Sequence, residues 1–415
     1  MRTGWALALG VAAVLIALAP ARANDRSAQD PLTHDLEVAM GEALFERAWL
    51  PAPSSTDADD GLGPLFSGRA CASCHRHGGP AQIVRAADRA VTARGIVLRF
   101  GTALGAPDPF YGYQLQDHAV PGLSAEGRLT LAADDRGEAG DALVWTFERM
   151  GPPPAGDVRA GVRLAPSLTG RVDLERIDAA AILAAADPDD RDGDGISGRA
   201  RLVGSVDGRP VLGRFGWKAA AADLRAQVAS AFALDMGLAS AGAPYPYGDC
   251  TPLQTACLAA PTGVRPGAGG QELDETIVDL VTRFVRSRPA PALDSRPEAL
   301  RPFAAAGCAD CHTPALPDTA GAPVRAFTDL LLHDMGLDLD DGVGEPGVAS
   351  AEWRTAPLVD LNRRGGTRRY LHDGRASTVE QAIAAHGGEA AASRTRYAAL
   401  SAADRAALLR FLEGL

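Results

Sequence analysis

The pattern Cys-x-x-Cys-His occurs twice in the chain, as Cys71-Ala72-Ser73-Cys74-His75 and as Cys308-Ala309-Asp310-Cys311-His312. At that spacing two thiols can form thioethers to the two vinyl groups of one haem, while the adjoining His is carried beneath the ring as a fifth ligand to iron. A Cys-x-x-Cys pair has other uses: half of a zinc site, a redox dithiol or a disulfide. Zinc needs further Cys or His at matching spacing, and only Cys250 and Cys257 remain, neither with a His close in sequence. A redox dithiol does not call for His directly after the second Cys, let alone twice. The motifs therefore predict two covalently bound haem c groups, one on Cys71, Cys74 and His75 and the other on Cys308, Cys311 and His312.

Two further clusters could do chemistry. Asp190, Asp192 and Asp194, with Gly195 at the sixth position, match the opening of a calcium loop, but the twelfth position is Arg201 instead of the bidentate Glu. Calcium binding and a solvated acidic turn both remain open. Cys250 and Cys257 lie in a Pro- and Gly-rich stretch, and in an oxidising compartment they are expected to form a disulfide, the alternative being two buried thiols.

The N-terminus suggests such a compartment. Arg2 precedes an apolar run from Trp5 to Ala19, followed by Ala21-Arg22-Ala23, which reads as a signal peptide over residues 1–23 with an A-x-A cleavage site and hence a periplasmic protein. The run is short for a membrane span, and no later stretch reaches the required length. The 415 residues, 46% of them hydrophobic, are enough for more than one core. A formal net charge of -11 speaks against nucleic acid as partner. Lys218 is the only lysine, so Arg carries nearly all positive charge, which suits carboxylate recognition, haem propionates included.

Helical elements should position the motifs. Apolar spacing over residues 36–48 predicts a helix ahead of the first motif, after a polar insertion at 51–63, and residues 300–306 predict one running into the second. Leu273, Ile277, Leu280, Val281, Phe284 and Val285 form a helical stripe, and Ser401 with Asp404 opens a terminal helix carrying Leu408, Leu409, Phe411 and Leu412. Arg288-Pro289-Ala290-Pro291 and Asp294-Ser295-Arg296-Pro297 mark a boundary. The expected architecture is mainly α: two cytochrome c-like haem domains, 24–290 and 291–415, the first with large insertions. Those insertions include a hairpin over 201–206 and 209–215 about Asp207-Gly208, and short strands at 96–100 and 128–131.

Several segments together carry a family resemblance: residues 48–55, the first haem motif, Gly112-Tyr113-Gln114-Leu115-Gln116, residues 192–199, Gly213-Arg214-Phe215-Gly216-Trp217-Lys218, His333-Asp334-Met335-Gly336 and Leu371-His372-Asp373-Gly374-Arg375. Over nearly the whole mature chain, the sequence resembles the bacterial di-haem oxidoreductases, also described as thiol oxidoreductase-like, which are related to di-haem cytochrome c peroxidases. In that wider group a His-x-Gly segment precedes the sixth ligand of the C-terminal haem by fourteen residues. Counting from His372, the resemblance implies His386 as that ligand and a His/His haem at the second motif. It does not fix the distal group at the first haem, for which Gln114, Gln116 and His118 are the nearest candidates. His34, His118 and His333 read otherwise as structural, and Trp145 or Trp217 could stand between haems or simply pack.

Three functions compete. In a peroxidase-like enzyme, hydrogen peroxide reacts at the N-terminal haem and the C-terminal haem relays electrons from a soluble donor protein, a cytochrome or cupredoxin. In a di-haem oxidase, the same open haem serves the oxidation of a protein or organic substrate. In an electron carrier, both irons are six-coordinate and nothing is catalysed. The long segment after the first motif argues against the carrier, which gains nothing from elaborating the surroundings of one haem.

Overall fold

The computed structural model describes residues 31–56, 59–85, 91–133, 143–204, 208–265, 267, 269–292, 297–361 and 368–415. The expected signal peptide and parts of the expected hairpin turn and boundary lie outside these residues.

Helices flank both motifs. The helix Pro31–Glu46 lies against Glu275–Arg286, whose apolar stripe buries Val278, Leu280, Val281, Phe284 and Val285. The crossing is close because position 41 is glycine: a Cβ there would run into the Leu280 carbonyl. Phe45 meets Phe284 with ring centroids 5.0 Å apart. Asp274 caps the second helix by accepting from the Thr276 amide at 2.8 Å. The helix Leu224–Met236 joins this core through Phe232, edge-on to Trp49 at 6.1 Å, and stops where Gly237 adopts a left-handed φ of 67°.

A second core lies at the other motif. Pro297–Ala305 runs towards Cys308, and Ala402–Glu413, capped by Ser401 on the Asp404 amide, packs back onto it. Phe303, Phe327 and Phe411 form a ring triangle with each pair 5.7 Å apart, each contact adding about 0.5–1.5 kcal/mol beyond the area it buries.

The expectation of a mainly α chain made of cytochrome c-like domains is overturned, since the structure is 30% helix and 19% strand, with several small sheets. Antiparallel pairs join Gln82–Arg85 to Val91–Arg94, Ile96–Gly101 to Arg159–Leu164, Gly127–Ala133 to Leu143–Arg149, Leu202–Gly204 to Pro210–Leu212, and Leu332–Asp334 to Glu352–Arg354. Strand structure is therefore not confined to insertions in the first half. Short runs of Val, Ile, Leu and Thr broken by Gly and Pro cannot sustain helical periodicity, and they gain hydrogen bonds by pairing with a distant run. No helix among the described residues is long and apolar enough to cross a membrane.

The segments around the two motifs interlock. Arg199 shares a bridge with Leu332, Arg354 N donates to the Trp217 carbonyl at 3.0 Å, and Arg163 pairs with Asp341. The Lys218 ammonium is buried and donates to the carbonyls of Ala349, Ser350 and Glu352 at 3.0, 3.0 and 2.6 Å.

Candidate haem sites

The second motif is the more completely defined. Cys308–Asp310 forms one tight helical turn, closed by the His312 amide donating to the Cys308 carbonyl at 2.8 Å. His312 Nδ1 lies 3.1 Å from the Phe327 carbonyl. A carbonyl can only accept, so Nδ1 carries the proton and Nε2 keeps its lone pair. His386 repeats the arrangement, with Nδ1 2.6 Å from the Ala382 carbonyl at the end of the short helix Val379–Ala384. Burial, then the His386 imidazole, pushes the His312 pKa down to about 4, and burial lowers that of His386. Both rings are thus neutral imidazoles at neutral pH.

The two ring centroids stand 6.5 Å apart. Two metal–imidazole bonds of about 2 Å each, plus about 1 Å from each donor nitrogen to its ring centre, would separate two rings on opposite sides of one metal by about 6 Å. The pair therefore fits a single iron held from both sides.

At the first motif, Cys71–Cys74 is again one helical turn, closed by the His75 amide on the Cys71 carbonyl at 2.9 Å. His75 Nδ1 faces the Gly79 carbonyl at 3.3 Å, and burial drives its pKa down to about 4. Burial, then the Asp235 carboxylate, pushes the thiols of Cys71 and Cys74 up to about 12, and burial raises Cys308 to about 11. Thiols held protonated make poor zinc ligands or redox nucleophiles, whereas a thioether carries no charge to desolvate. Cys250 and Cys257 are joined in a disulfide, and the four motif cysteines take part in none.

The distal candidates separate. Gln114 and Gln116 are 1% and 2% exposed and meet at Ser67: Gln114 Nε2 donates to Ser67 Oγ at 3.0 Å and to Asp235 Oδ1 at 2.8 Å, while Gln116 Oε1 accepts from Ser67 Oγ at 2.9 Å. His118 stands outside this network, 58% exposed, paired with Asp117 at 2.8 Å and stacked on Phe66. The sequence reading missed two acids here. Asp235, whose pKa is raised by burial, sits beside the motif thiols. Glu126 accepts from the Gln116 amide at 2.6 Å and from Gln254 Nε2 at 2.5 Å, and burial raises its pKa to about 8. Neither has a local signature, because the chain brings them in from residues far from Cys71.

The carboxylates of Asp190, Asp192 and Asp194 gather within 4.8 Å of one another. The loop is shaped by its own amides, Gly195 N donating to Asp190 Oδ1 at 3.1 Å and Ile196 N to Asp194 Oδ1 at 2.8 Å. Arg201 points elsewhere, to the Lys218 carbonyl and Glu345 at 2.7 and 2.6 Å. His333 is held between Asp329 at 2.9 Å and Glu389 at 2.7 Å. Burial alone would lower its pKa, but its bonds to Asp329, Cys311 and Glu389 carry it up to about 12. Both ring nitrogens are engaged, so His333 cannot replace His386 on iron without breaking this clamp. Trp145 is 38% exposed, and Trp217 donates to the Leu164 carbonyl at 2.9 Å. Trp353, not singled out from sequence, stacks on His372 at 3.8 Å.

Two half-buried Cys-x-x-Cys-His turns, each with a neutral, oriented imidazole, have the residues and geometry that a haem-binding redox protein needs. The chain belongs to the family described as "Di-haem oxidoreductase, putative peroxidase", which it matches over residues 154–415, a span that takes in the second motif and His386. No curated protein and no solved structure matches the chain.

Proposed function

We propose that the chain is an exported, periplasmic di-haem c-type enzyme that reduces hydrogen peroxide at the haem of Cys71, Cys74 and His75. Electrons from a soluble cytochrome or cupredoxin would pass through the haem of Cys308, Cys311, His312 and His386. The observation that carries the division of labour is the 6.5 Å His312–His386 pair. An iron held by both rings has no open position, which suits electron transfer, whereas His75 has no such His partner among the described residues. Bound haem supplies redox-active iron at each site and a place for peroxide oxygen at the first.

Around that first site the protein has to move protons. Reduction of one peroxide to two waters takes two electrons and two protons. Burial raises the pKa of both Asp235 and Glu126, carrying Glu126 to about 8 so that it can hold a proton near neutral pH, and Gln114, Gln116 and Ser67 form the hydrogen-bonded frame that fixes them. The Asp190, Asp192 and Asp194 carboxylates offer hard oxygen donors suited to Ca²⁺.

The test is electronic absorption and electron paramagnetic resonance of the oxidised and half-reduced protein, with and without peroxide. One low-spin iron indifferent to peroxide and one that reacts with it supports the reading. Two low-spin irons with no peroxide reaction at any redox level leaves an electron carrier.

A further inference from the structure

The segment that carries both glutamines of the first site lies outside the paired strands, and side chains hold its backbone instead. Tyr113 N and Gln114 N donate to one carboxylate oxygen, Asp249 Oδ2, at 2.6 and 2.9 Å, and Gln116 N donates to Glu126 Oε2 at 2.6 Å. Between them, Leu115 N donates to the Leu98 carbonyl at 2.9 Å.

Both carboxylates depend on one loop. Asp249 immediately precedes Cys250, which is joined to the buried Cys257. Within the stretch that this disulfide closes, Gln254 accepts from the Thr251 amide at 2.8 Å and donates to Glu126 Oε1 at 2.5 Å. Thr251 Oγ1 donates to the Phe110 carbonyl at 3.2 Å. The fit against the glutamine segment is close: Gly112 takes a left-handed φ of 64°, and a Cβ on it would lie 2.5 Å from the Asp249 carboxyl carbon. A disulfide across so short a loop restricts its conformations, so Asp249 and Gln254 are presented from a fixed base.

What this segment carries leads to the first motif. Gln114 Nε2 reaches Asp235, whose carboxylate acts electrostatically on Cys71 and Cys74. Ser67 accepts from Gln114 and donates to Gln116. Gly68, beside it, lies against the motif turn, where a Cβ would be 4.0 Å from Cys74 Sγ.

We propose that the loop closed by Cys250 and Cys257 is the positioning element of the first haem site, with Asp249 and Gln254 as positioning residues that set where Gln114 and Gln116 stand relative to Cys71 and Cys74. This rests on the reading that haem is bound at that motif and reacts with peroxide there.

The experiment compares the purified holoprotein with Asp249→Ala, Asp249→Asn and the double variant Cys250→Ser/Cys257→Ser. Hydrogen–deuterium exchange reads the backbone, electron paramagnetic resonance of the oxidised protein reads each iron, and stopped-flow mixing reads the reaction with peroxide. Asp249→Ala and the double variant should speed exchange over residues 113–116, shift the resonance of the first haem alone, and slow its peroxide reaction on the order of 10²-fold, the cost of a small misplacement at a reacting centre. Asp249→Asn, which keeps one acceptor oxygen, should recover part of each change. Exchange as in the parent protein overturns the proposal. So does faster exchange with the first haem's resonance and peroxide rate unmoved, which would make the loop a support of the fold alone. Should the double variant not accumulate, Gln254→Ala, which leaves the disulfide intact and removes the donor to Glu126, takes its place and faces the same outcomes. A parent protein whose first haem ignores peroxide would sink the proposed reaction and not the loop, whose role the exchange and the resonance of the first haem still decide.

Discussion

At the residue scale, His386 is the most exposed to test. Its Nδ1 is committed to the Ala382 carbonyl and its ring sits 6.5 Å from that of His312, so His386→Ala should turn one haem from low to high spin and let it bind small ligands. A low-spin spectrum for both haems in that variant would move the sixth ligand elsewhere. Glu126 gives a second prediction, in stability. Its pKa rises from 4.5 to about 8 on folding because burial penalises the carboxylate. Between those values the folded state binds the proton more tightly than the unfolded chain, so stability falls as pH rises through this window. Glu126→Gln keeps an acceptor for the Gln116 amide and cannot ionise. Its melting temperature should therefore gain on the wild type steadily from pH 5 to pH 8, and a constant difference would mean that Glu126 does not titrate there.

At the scale of elements, what was legible depended on how local the signal was. The stripe of Glu275–Arg286 and the Ser401 cap of the terminal helix are contained in a few turns of sequence, and both appear where periodicity placed them. The sheet pairs are not local. Ile96–Gly101 finds its partner at Arg159–Leu164, and Leu332–Asp334 finds Glu352–Arg354. Nothing within either run distinguishes a half-buried strand from a loop until its partner is known. The same holds at the candidate site: the haem motifs are contiguous and legible within five residues, whereas Asp235 and Glu126 gain meaning only beside residues brought from elsewhere. Glu389 shows how an element can hold His386 in place. It accepts from Ser197 N and Oγ, from Asp334 N and from His333, pinning the turn that follows His386. Glu389→Ala should loosen that turn, seen as a mixed-spin second haem whose low-spin fraction falls on warming. A fully low-spin haem at all temperatures would show that the helix Val379–Ala384 holds His386 unaided.

At the scale of the whole molecule, the two motif regions are tied by buried charge. Lys218 fills three carbonyl acceptors on the segment 349–352 and lies 3.8 Å over the Trp353 ring. Lys218→Met would leave those acceptors buried and unsatisfied, a loss on the order of 3 kcal/mol, read as a lower urea midpoint at an unchanged slope.

On the proposed reading that connection matters because peroxide needs two electrons and donor proteins deliver one at a time, so two haems would have to act as one reservoir at a fixed separation. The residues on either side differ in kind. The His312 and His386 rings face each other 6.5 Å apart at one motif, while the neighbourhood of Cys71 and Cys74 holds Asp235, whose pKa burial raises, and the Gln114–Ser67–Gln116 frame. Asp235→Asn keeps an acceptor for Gln114 and removes the titratable carboxyl, so if Asp235 moves the proton, turnover with peroxide should fall roughly 10²- to 10⁴-fold, the range for a positioned acid or base, with both haems bound and the second haem's spectrum unchanged. In stopped-flow mixing, the parent protein should show a rapid change of the high-spin band. That change should be slowed in Asp235→Asn and retained in His386→Ala. Equal rates in the parent and Asp235→Asn would remove Asp235 from proton transfer and leave Glu126 as the remaining buried acid of that network.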